Sequence, residues 1–340
     1  MTGTRSGTSS ASCLPQPPDA LPRYVLGLDI GGTKLAAGVV DLAGTALSFL
    51  VQPTGNGRDP DTILGELFAL GRRAVAAAGV DWSVVDAVGI GCGGPLDAER
   101  GVLLAPPHLA GWRDIPLTEI AERELGRPAF LENDATAAAS AEHRHGAGAG
   151  ARDLVYLTIS TGVGGGVVMN GRLYRGAMGN GGELGHVTID WKGRLCRSCG
   201  RRGCLEAYVS GTSIAERAVE AMTAGSSLAK KEVVTAADVS AAARDGDTLA
   251  SRIWAETLEA LACGLTSIVN LFEPEVVVLG GGVTRAGEQL LHPVREMVAR
   301  QAMGPAGHAR IVTAGLGDRV GVVGAASFVY ERALARRDDR

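Results

Sequence analysis

The segment Asp29-Ile-Gly-Gly-Thr-Lys34 combines a carboxylate, two glycines and two side-chain donors within six residues. Because glycine has no Cβ, the backbone N–H groups of such a turn can approach phosphate oxygens closely. Asp29 cannot bind phosphate directly, but it could hold Mg²⁺ through water. An ordinary glycine β-turn is the alternative while the motif stands alone. The candidate phosphate-binding residues of this turn are Gly31, Gly32, Thr33 and Lys34.

A second turn of the same kind lies in Thr158-Ile-Ser-Thr-Gly-Val-Gly-Gly-Gly166. Each of the two turns follows a short apolar run that predicts a strand, and each opens one half of the chain. This repetition favours two phosphate-binding hairpins over two unrelated β-turns. The candidate residues of the second turn are Thr161, Gly162, Gly164 and Gly165.

The segment Glu132-Asn-Asp-Ala135 lies where a predicted strand ends and a helix begins. A simple helix N-cap is the alternative, because Asn and Asp are commonly used as caps. A carboxylate at the carboxyl end of a strand, facing a cleft, can also orient a sugar hydroxyl and accept its proton during phosphoryl transfer. We therefore predict Asp134 as a general base and Asn133 as the ligand of a neighbouring hydroxyl.

One histidine and three cysteines follow within a short stretch, and together they make a closed set of one nitrogen and three sulfur ligands for structural Zn²⁺. A redox Cys-x-x-Cys pair or unligated thiols are the alternatives. Zinc at this place would also position two flanking carboxylates, Glu183 and Glu206, to accept hydrogen bonds from a polyol. The predicted metal ligands are His186, Cys196, Cys199 and Cys204.

Two nucleotide-binding motifs can be set aside. The chain contains no G-x-x-x-x-G-K-[ST] sequence, which excludes a P-loop. Gly89-Ile-Gly-Cys-Gly-Gly94 matches the dinucleotide fingerprint, but Pro95 follows where that motif needs the helix that holds the pyrophosphate. We therefore predict a turn near substrate at this place and no NAD site.

The composition describes a globular chain without a membrane span. The chain has 340 residues, of which 46% are hydrophobic and 21% charged, and its 49 glycines favour loops that approach a ligand closely. The net charge of −4 argues against a broad nucleic-acid surface. No apolar run is long enough for a membrane helix or a secretory signal, so we expect a cytoplasmic protein with no membrane partner.

Alternating apolar runs and helical spacing predict two related α/β domains that face a cleft. We expect a flexible tail at 1–22, a small domain at 23–134 joined by a C-terminal helix at 320–336, and a large domain at 135–319 that carries a zinc knuckle at 186–206. The first three strands are predicted as an antiparallel meander at 24–30, 35–41 and 45–51. Further strands are predicted at 84–91, 128–131, 154–159, up to 169, 276–279 and 311–314, and helices at 61–78, 117–125, 133–144, 212–223, 236–244, 247–271, after 282, and 320–335.

Over nearly all of the chain from Tyr24 onward, the sequence resembles the ROK family of sugar kinases, repressors and open reading frames. The resemblance rests on motifs that stand in the family's order: DIGGTK at 29–34, GGPLD at 93–97, LENDA at 131–135, STGVGGG at 160–166, GELGH at 182–186, CGxxGCLE at 199–206, GGGV at 280–283 and GDRVGVVGAA at 317–326.

The resemblance implies the two-domain fold shared by actin, Hsp70 and hexokinase, and ATP-dependent phosphorylation of a hexose. It also implies Mg²⁺ as a cofactor, a structural zinc and commonly a homodimer. Asp134 would be the catalytic base, and the turn at Gly281 and Gly282 would approach adenosine. The residues at the sugar would be Gly94, Asn133, Glu183, His186 and Glu206, with His186 also on zinc.

The sequence departs from the family at three places. Two residues separate Cys196 from Cys199 where the family usually has one, and Gly93 replaces a frequent proline. His108 stands where glucokinases of the family often have asparagine, so it is a candidate specificity residue. Glucose is the first substrate expected, with N-acetylmannosamine or N-acetylglucosamine as alternatives. A repressor or a silent sugar sensor is less favoured, because 28 residues before Asp29 do not accommodate a winged helix and both phosphate turns are present.

Overall fold

The computed structural model describes residues 21–55, 57–106, 109 and 111–338, so most of the predicted tail and His108 lie outside the described residues. Strands form two five-stranded sheets and one small hairpin. The strands are β1 (Tyr24–Ile30), β2 (Lys34–Asp41), β3 (Leu50–Pro53), β4 (Val85–Cys92), β5 (Leu96–Asp97), β6 (Val102–Leu103), β7 (Ala129–Asn133), β8 (Leu154–Ile159), β9 (Val163–Met169), β10 (Arg172–Tyr174), β11 (Val276–Gly280) and β12 (Arg310–Thr313).

The helices pack on both faces of the sheets. Most of them agree with the predicted bounds to within one to three residues, whereas the short α4 was not predicted. The helices are α1 (Pro60–Ala77), α2 (Leu117–Leu125), α3 (Asp134–His145), α4 (Glu206–Val209), α5 (Gly211–Glu220), α6 (Ala236–Arg244), α7 (Thr248–Phe272), α8 (Glu288–Gln301) and α9 (Val320–Asp338). In the described part of the chain, none of these helices has the length and apolarity needed to cross a bilayer.

The two large sheets have the same plan. Their strand orders are β3-β2-β1-β4-β7 and β10-β9-β8-β11-β12, which is 3-2-1-4-5 within each half. In each sheet the first three strands pair antiparallel and the last two continue parallel to the first. The carboxyl ends of the parallel strands therefore meet at one edge of each sheet, where the glycine turns and Asn133 lie.

The predicted third strand was wrong in its first half. Of residues 45–49, only Ala46 pairs with the neighbouring strand, as an isolated bridge to Val40. Ser48 Oγ accepts the Val39 N–H at 3.1 Å and so replaces a bond of the strand ladder. The chain joins the sheet as β3 only at Leu50. Similarly, the helix expected directly after Gly282 starts at Glu288, after a 3₁₀ turn.

Helix α3 is buried on all sides and contributes to the cores of both sheets. Its sequence, DATAAASAEHRH, consists mainly of small residues. Ala137 packs with Phe130 in a core of the first sheet, whereas Ala138 packs with Tyr156 in a core of the second. Small side chains on the buried faces of a helix allow two layers of structure to approach it closely. Asp134, its first residue, therefore lies between the two sheets.

Helix α9 packs on the first sheet at glycines. A Cβ on Gly27 would lie 2.3 Å from the carbonyl oxygen of Val322, and a Cβ on Gly89 would lie 1.7 Å from that of Ala325. The backbone of α9 thus approaches β1 and β4 more closely than any side chain allows. This contact joins the C-terminal helix to the sheet that carries Asp29.

Gly89→Ala is expected to destabilise the fold by about 3 kcal/mol or more, because the new methyl group would force two backbones apart. Gly65→Ala is the matched control: Gly65 is exposed on α1 and a Cβ there meets nothing within 4 Å. That control should stabilise by about 0.4–1 kcal/mol, since alanine reduces the entropy of the unfolded chain. Urea unfolding of both variants measures the difference, and equal stabilities would contradict the packing described.

Candidate active site

The Asp29 carboxylate and Asp134, the first residue of α3, lie beside each other at the edge of the first sheet. In the register of β1, β4 and β7, Asp29 pairs with Gly91 and Gly91 with Glu132. A Cβ on Gly91 would lie 3.8 Å from Asp29 Oδ1 and 3.9 Å from the Cα of Asp134. Gly91 thus leaves the space in which the Asp29 carboxylate and the start of α3 come together.

The surroundings of Asp29 destabilise the ionised form of its side chain. Burial and the negative charge of Asp134 raise the pKa of Asp29 from 3.8 to about 7, and Lys34 opposes the shift. Gly321 of α9 lies against this carboxylate, because a Cβ there would be 2.3 Å from Asp29 Oδ2. A partly buried carboxylate whose negative charge is destabilising, at a glycine turn of the phosphate-binding type, is typical of a site that receives a cation. The chemistry of these donors therefore fits Mg²⁺.

In magnesium-free protein, Asp29→Asn is expected to raise the melting temperature more at pH 8 than at pH 5. The unfolded chain releases this proton near pH 3.8, whereas the folded protein keeps it until about pH 7. Stability therefore declines as the pH rises between these values, and the full cost is present above pH 7. Asparagine does not ionise and removes that cost. Calorimetry at the two pH values is the measurement, and equal gains at both would contradict the shift.

The predicted base and its neighbour form the start of α3. Asn133 is the N-cap, and its Oδ1 accepts the N–H groups of Ala135 and Thr136 at 3.0 and 3.1 Å. Asp134 Oδ1 accepts the Ala135 N–H at 2.8 Å. The cap and the functional interpretation are thus compatible, since the cap uses the Asn133 oxygen and its amide nitrogen lies 3.5 Å from the position of a Cβ on Gly94.

The first glycine turn joins β1 to β2. Gly31 N–H donates to the Lys34 carbonyl at 3.0 Å. The buried Thr54 fixes the turn with two hydrogen bonds. Its hydroxyl donates to the Gly31 carbonyl at 2.7 Å, and its N–H donates to the Thr33 carbonyl at 3.1 Å. Thr33 and Lys34 are exposed, and Gly31 and Gly32 are partly exposed.

The second glycine turn joins β8 to β9 and lies next to the Gly280–Gly282 turn. Ser160 N–H donates to the Gly162 carbonyl at 2.9 Å, which closes the turn, and Thr161 at its tip is exposed. Gly281 has φ of 89°, and a Cβ there would lie 2.4 Å from the Ile159 carbonyl oxygen. Because β8 and β11 are neighbours, these two turns form one continuous edge, with Gly282 at the start of the following 3₁₀ turn.

Strand β9 also brings the second turn close to the start of α3, next to the predicted base Asp134. A Cβ on Gly164 would lie 2.8 Å from the Ala135 Cβ. A Cβ on Gly165 would lie 2.6 Å from the Gly182 carbonyl oxygen, directly before Glu183. Glycine at these two positions lets the hairpin, α3 and the loop of Glu183 pack together.

The predicted metal ligands converge. One ligand atom from each of the four residues lies within 4.8 Å of the others. The Sγ atoms of Cys199 and Cys204 are 3.6 Å apart, and Cys196 Sγ is 3.7 Å from His186 Nδ1. Sulfurs about 2.3 Å from a tetrahedral Zn²⁺ lie about 3.8 Å apart. The residues therefore fit Zn²⁺, and the extra residue before Cys199 does not prevent Cys196 from reaching the cluster.

Three predicted sugar ligands belong to this cluster or lie beside it. His186 Nε2 lies 3.9 Å from Glu183 Oε2, so its two ring nitrogens face different partners. Burial raises the pKa of Glu183, His186 opposes this, and the charges of Asp134 and Glu206 add to it. Glu206 is buried; its Oε2 accepts the Val163 N–H at 2.8 Å, and its Oε1 accepts the Ser198 hydroxyl. Glu206 therefore connects the cluster of His186 and the three cysteines to the second glycine hairpin.

Sequence reasoning missed two polar contacts. Ser198 occupies the stretch that is one residue longer than in the family, and only the folded loop shows that it donates to Glu206. The ion pair of Glu132 with Arg175 joins residues 43 apart in sequence. The motif LENDA placed Glu132 two residues before the predicted base, but no local pattern identifies the partner of Glu132.

The ROK family model matches residues 25–332 of this chain. The chain belongs to the ROK family. It is 37% identical to the glucokinase of Thermotoga maritima, over 91% of this chain and 98% of that protein. A ROK hexokinase from Thermus thermophilus is 39% identical, covers 93% of this chain and 100% of its own, and has a TM-score of 0.76. A ROK family glucokinase from Streptomyces griseus in complex with glucose and AMPPNP is 37% identical over 90% and 98%, with a TM-score of 0.77.

These structures confirm the predicted α/β, actin- and hexokinase-like two-domain fold class of this ROK chain. Relatives of other function are also similar. An N-acetylmannosamine kinase of Yersinia pseudotuberculosis is 36% identical over 76% of this chain and 82% of that protein. A xylose repressor of Caldicellulosiruptor bescii is 28% identical over 92% of this chain and 79% of the repressor.

Proposed function

We propose that the chain is an ATP-dependent glucokinase that phosphorylates the primary hydroxyl, O6, of glucose. The observation that carries this is the placement of Asp134: the residue begins a helix packed against both sheets, beside Asp29 and near both glycine hairpins. A base at that junction can face a hydroxyl on one side and a phosphoryl group on the other. The similarity to glucokinases at 35–37% identity supports the same assignment.

In this mechanism the sugar is oriented before transfer. Asn133, Glu183, His186 and Glu206 would hold its hydroxyls, with Gly94 close to the ring and His108 as a candidate for specificity. Asp134 would accept the O6 proton as the bond to phosphorus forms. The N–H groups of both glycine turns, with Thr33, Lys34 and Thr161, would bind the phosphates, and the turn at Gly281 and Gly282 would approach adenosine.

Two metals belong to the proposal. Asp29 would hold Mg²⁺ through water, and bound Mg²⁺ neutralises phosphate charge. His186, Cys196, Cys199 and Cys204 would hold structural Zn²⁺, supported by the fit of their ligand atoms. Their role would be to fix the loop between Glu183 and Glu206. A homodimer is a further prediction, which light scattering after size-exclusion chromatography tests.

ADP release from Mg·ATP tests the function across glucose, mannose, fructose, N-acetylglucosamine and N-acetylmannosamine. We expect the highest kcat/KM with glucose. A preference for an N-acetylated sugar would instead favour the second candidate function, an amino-sugar kinase. Two observations favour that candidate: the similarity to an N-acetylmannosamine kinase and the histidine at position 108. No ADP release with any sugar, with polyphosphate also inactive as a donor, would reject the kinase in favour of a sensor or repressor.

A further inference from the structure

A buried ion pair joins the two halves of the molecule beside the proposed base. Glu132 is at the end of β7 in the first sheet and is 0% exposed, whereas Arg175 directly follows β10 of the second sheet and is 27% exposed. Arg175 Nε donates to Glu132 Oε2 at 2.7 Å. A buried charge pair is weak support for stability, since desolvation offsets most of its attraction, so its presence calls for another explanation.

Each partner of the pair also holds a segment of the site. Glu132 Oε1 accepts the Asn133 N–H at 3.1 Å, next to Asp134. The Arg175 carbonyl accepts the Gly181 N–H at 2.7 Å, which closes the loop that leads to Glu183. A continuous set of bonds therefore runs from the base, through the ion pair, to the predicted sugar-binding loop.

The carboxylates around Arg175 favour its charged form. Burial opposes the charge of Arg175, but the carboxylates of Glu132 and Glu331 raise its pKa overall. Glu331 of α9 lies 4.0 Å from Arg175 Nη1 and accepts the Ser140 hydroxyl of α3 at 3.0 Å. Arg332, whose pKa is lowered chiefly by burial, adds a second cation to this group. Helix α9 thus contacts the pair through Glu331, and helix α3 holds Glu331 in place through Ser140.

We propose that Arg175 is a positioning residue, which sets the Glu183 loop of the second half against Asn133 and Asp134 of the first through its ion pair with Glu132. This inference rests on the proposed kinase reaction. Its effect is on the alignment of O6 with the base, where a displacement of about 1 Å can cost about 100-fold in rate.

The test compares Arg175→Met, Glu132→Gln, the double variant and Arg175→Lys, with Arg172→Met on the exposed face of β10 as the control. Each single neutral variant removes one member of the ion pair, leaves its partner without that contact and should lower the melting temperature. The double variant removes both charges, so its melting temperature should return towards that of the wild type. Its kcat with glucose should nevertheless stay about 100-fold low, with a smaller change in the KM for ATP.

Arg175→Lys keeps the charge and hence the fold, but it offers a point charge in place of the planar guanidinium. We expect a normal melting temperature with a kcat about 10-fold below wild type. Recovery of both melting temperature and kcat in the double variant would show a purely structural pair and overturn the proposal. Wild-type kcat in Arg175→Lys would overturn it as well, even if the other variants fail to fold. An inactive wild type would instead reject the proposed function itself.

Discussion

Asp134→Asn is expected to keep the fold and the affinity for glucose while kcat falls about 10²–10⁴-fold. Asparagine has nearly the same shape as aspartate, and its Oδ1 can still accept the Ala135 N–H that holds the side chain at the start of α3. It cannot accept the O6 proton. The substitution therefore affects the chemical step. Glucose affinity measured by calorimetry should change little, whereas the single-turnover rate should fall as strongly as kcat.

Asp61→Asn is the matched control for this variant. Asp61 is also an acidic residue in the first turn of a helix, but it is exposed on α1. Its substitution should leave kcat within a factor of two of wild type, because substitutions at exposed positions rarely alter the folded state. A kcat for Asp134→Asn near that of the control would refute the assignment of the base.

Cys204→Ser is expected to lose zinc and glucose affinity together. Cys204 is fully buried, two residues before Glu206, and its Sγ lies 3.6 Å from that of Cys199. Without the metal, the ligands no longer hold the loop, and His186 and Glu206 lose their fixed positions. A hydrogen bond to a carboxylate such as Glu206 contributes about 1.5–3 kcal/mol and one to a neutral imidazole about 0.5–1.5 kcal/mol, so the loss of both predicts a glucose Kd at least about 30-fold higher.

The control for the zinc variant is Cys263→Ser, an exposed thiol outside the cluster that should change neither metal content nor affinity. Metal analysis by mass spectrometry gives the zinc stoichiometry, and calorimetry on the same samples gives the glucose Kd. Full glucose affinity in metal-free Cys204→Ser would break the connection between the cluster and the sugar site.

The parts of the fold that local patterns control were predictable. β1, α2, β8 and α6 have the expected bounds, since each is a clear apolar run or helical repeat with its own turn or cap residues. The misplaced start of β3 had a different cause: the Ser48 hydroxyl takes the place of a backbone partner, and no periodicity shows this.

The site shows the same division between local and distant causes. The glycine turns, the Asn133 cap and the predicted zinc ligands are short motifs in the sequence, so their residue types and spacing indicated which residues would lie together. Glu142 is an opposite case: this buried carboxylate accepts the N–H groups of Gly315 and Leu316, both at 2.9 Å, across more than 170 residues of chain. Only the folded arrangement identifies such a partner.

The shared helix α3 has a consequence for how the molecule comes apart. Neighbouring residues of this helix, Ala137 and Ala138, belong to the hydrophobic cores of different sheets. Unfolding of either half would expose one face of α3 to solvent and would leave the hydrophobic core of the other half incomplete. The two halves should therefore melt in a single transition, with equal calorimetric and van't Hoff enthalpies, although each has a complete sheet of its own. Cooperativity of this kind means that the residue proposed to react loses its surroundings only when the whole molecule unfolds.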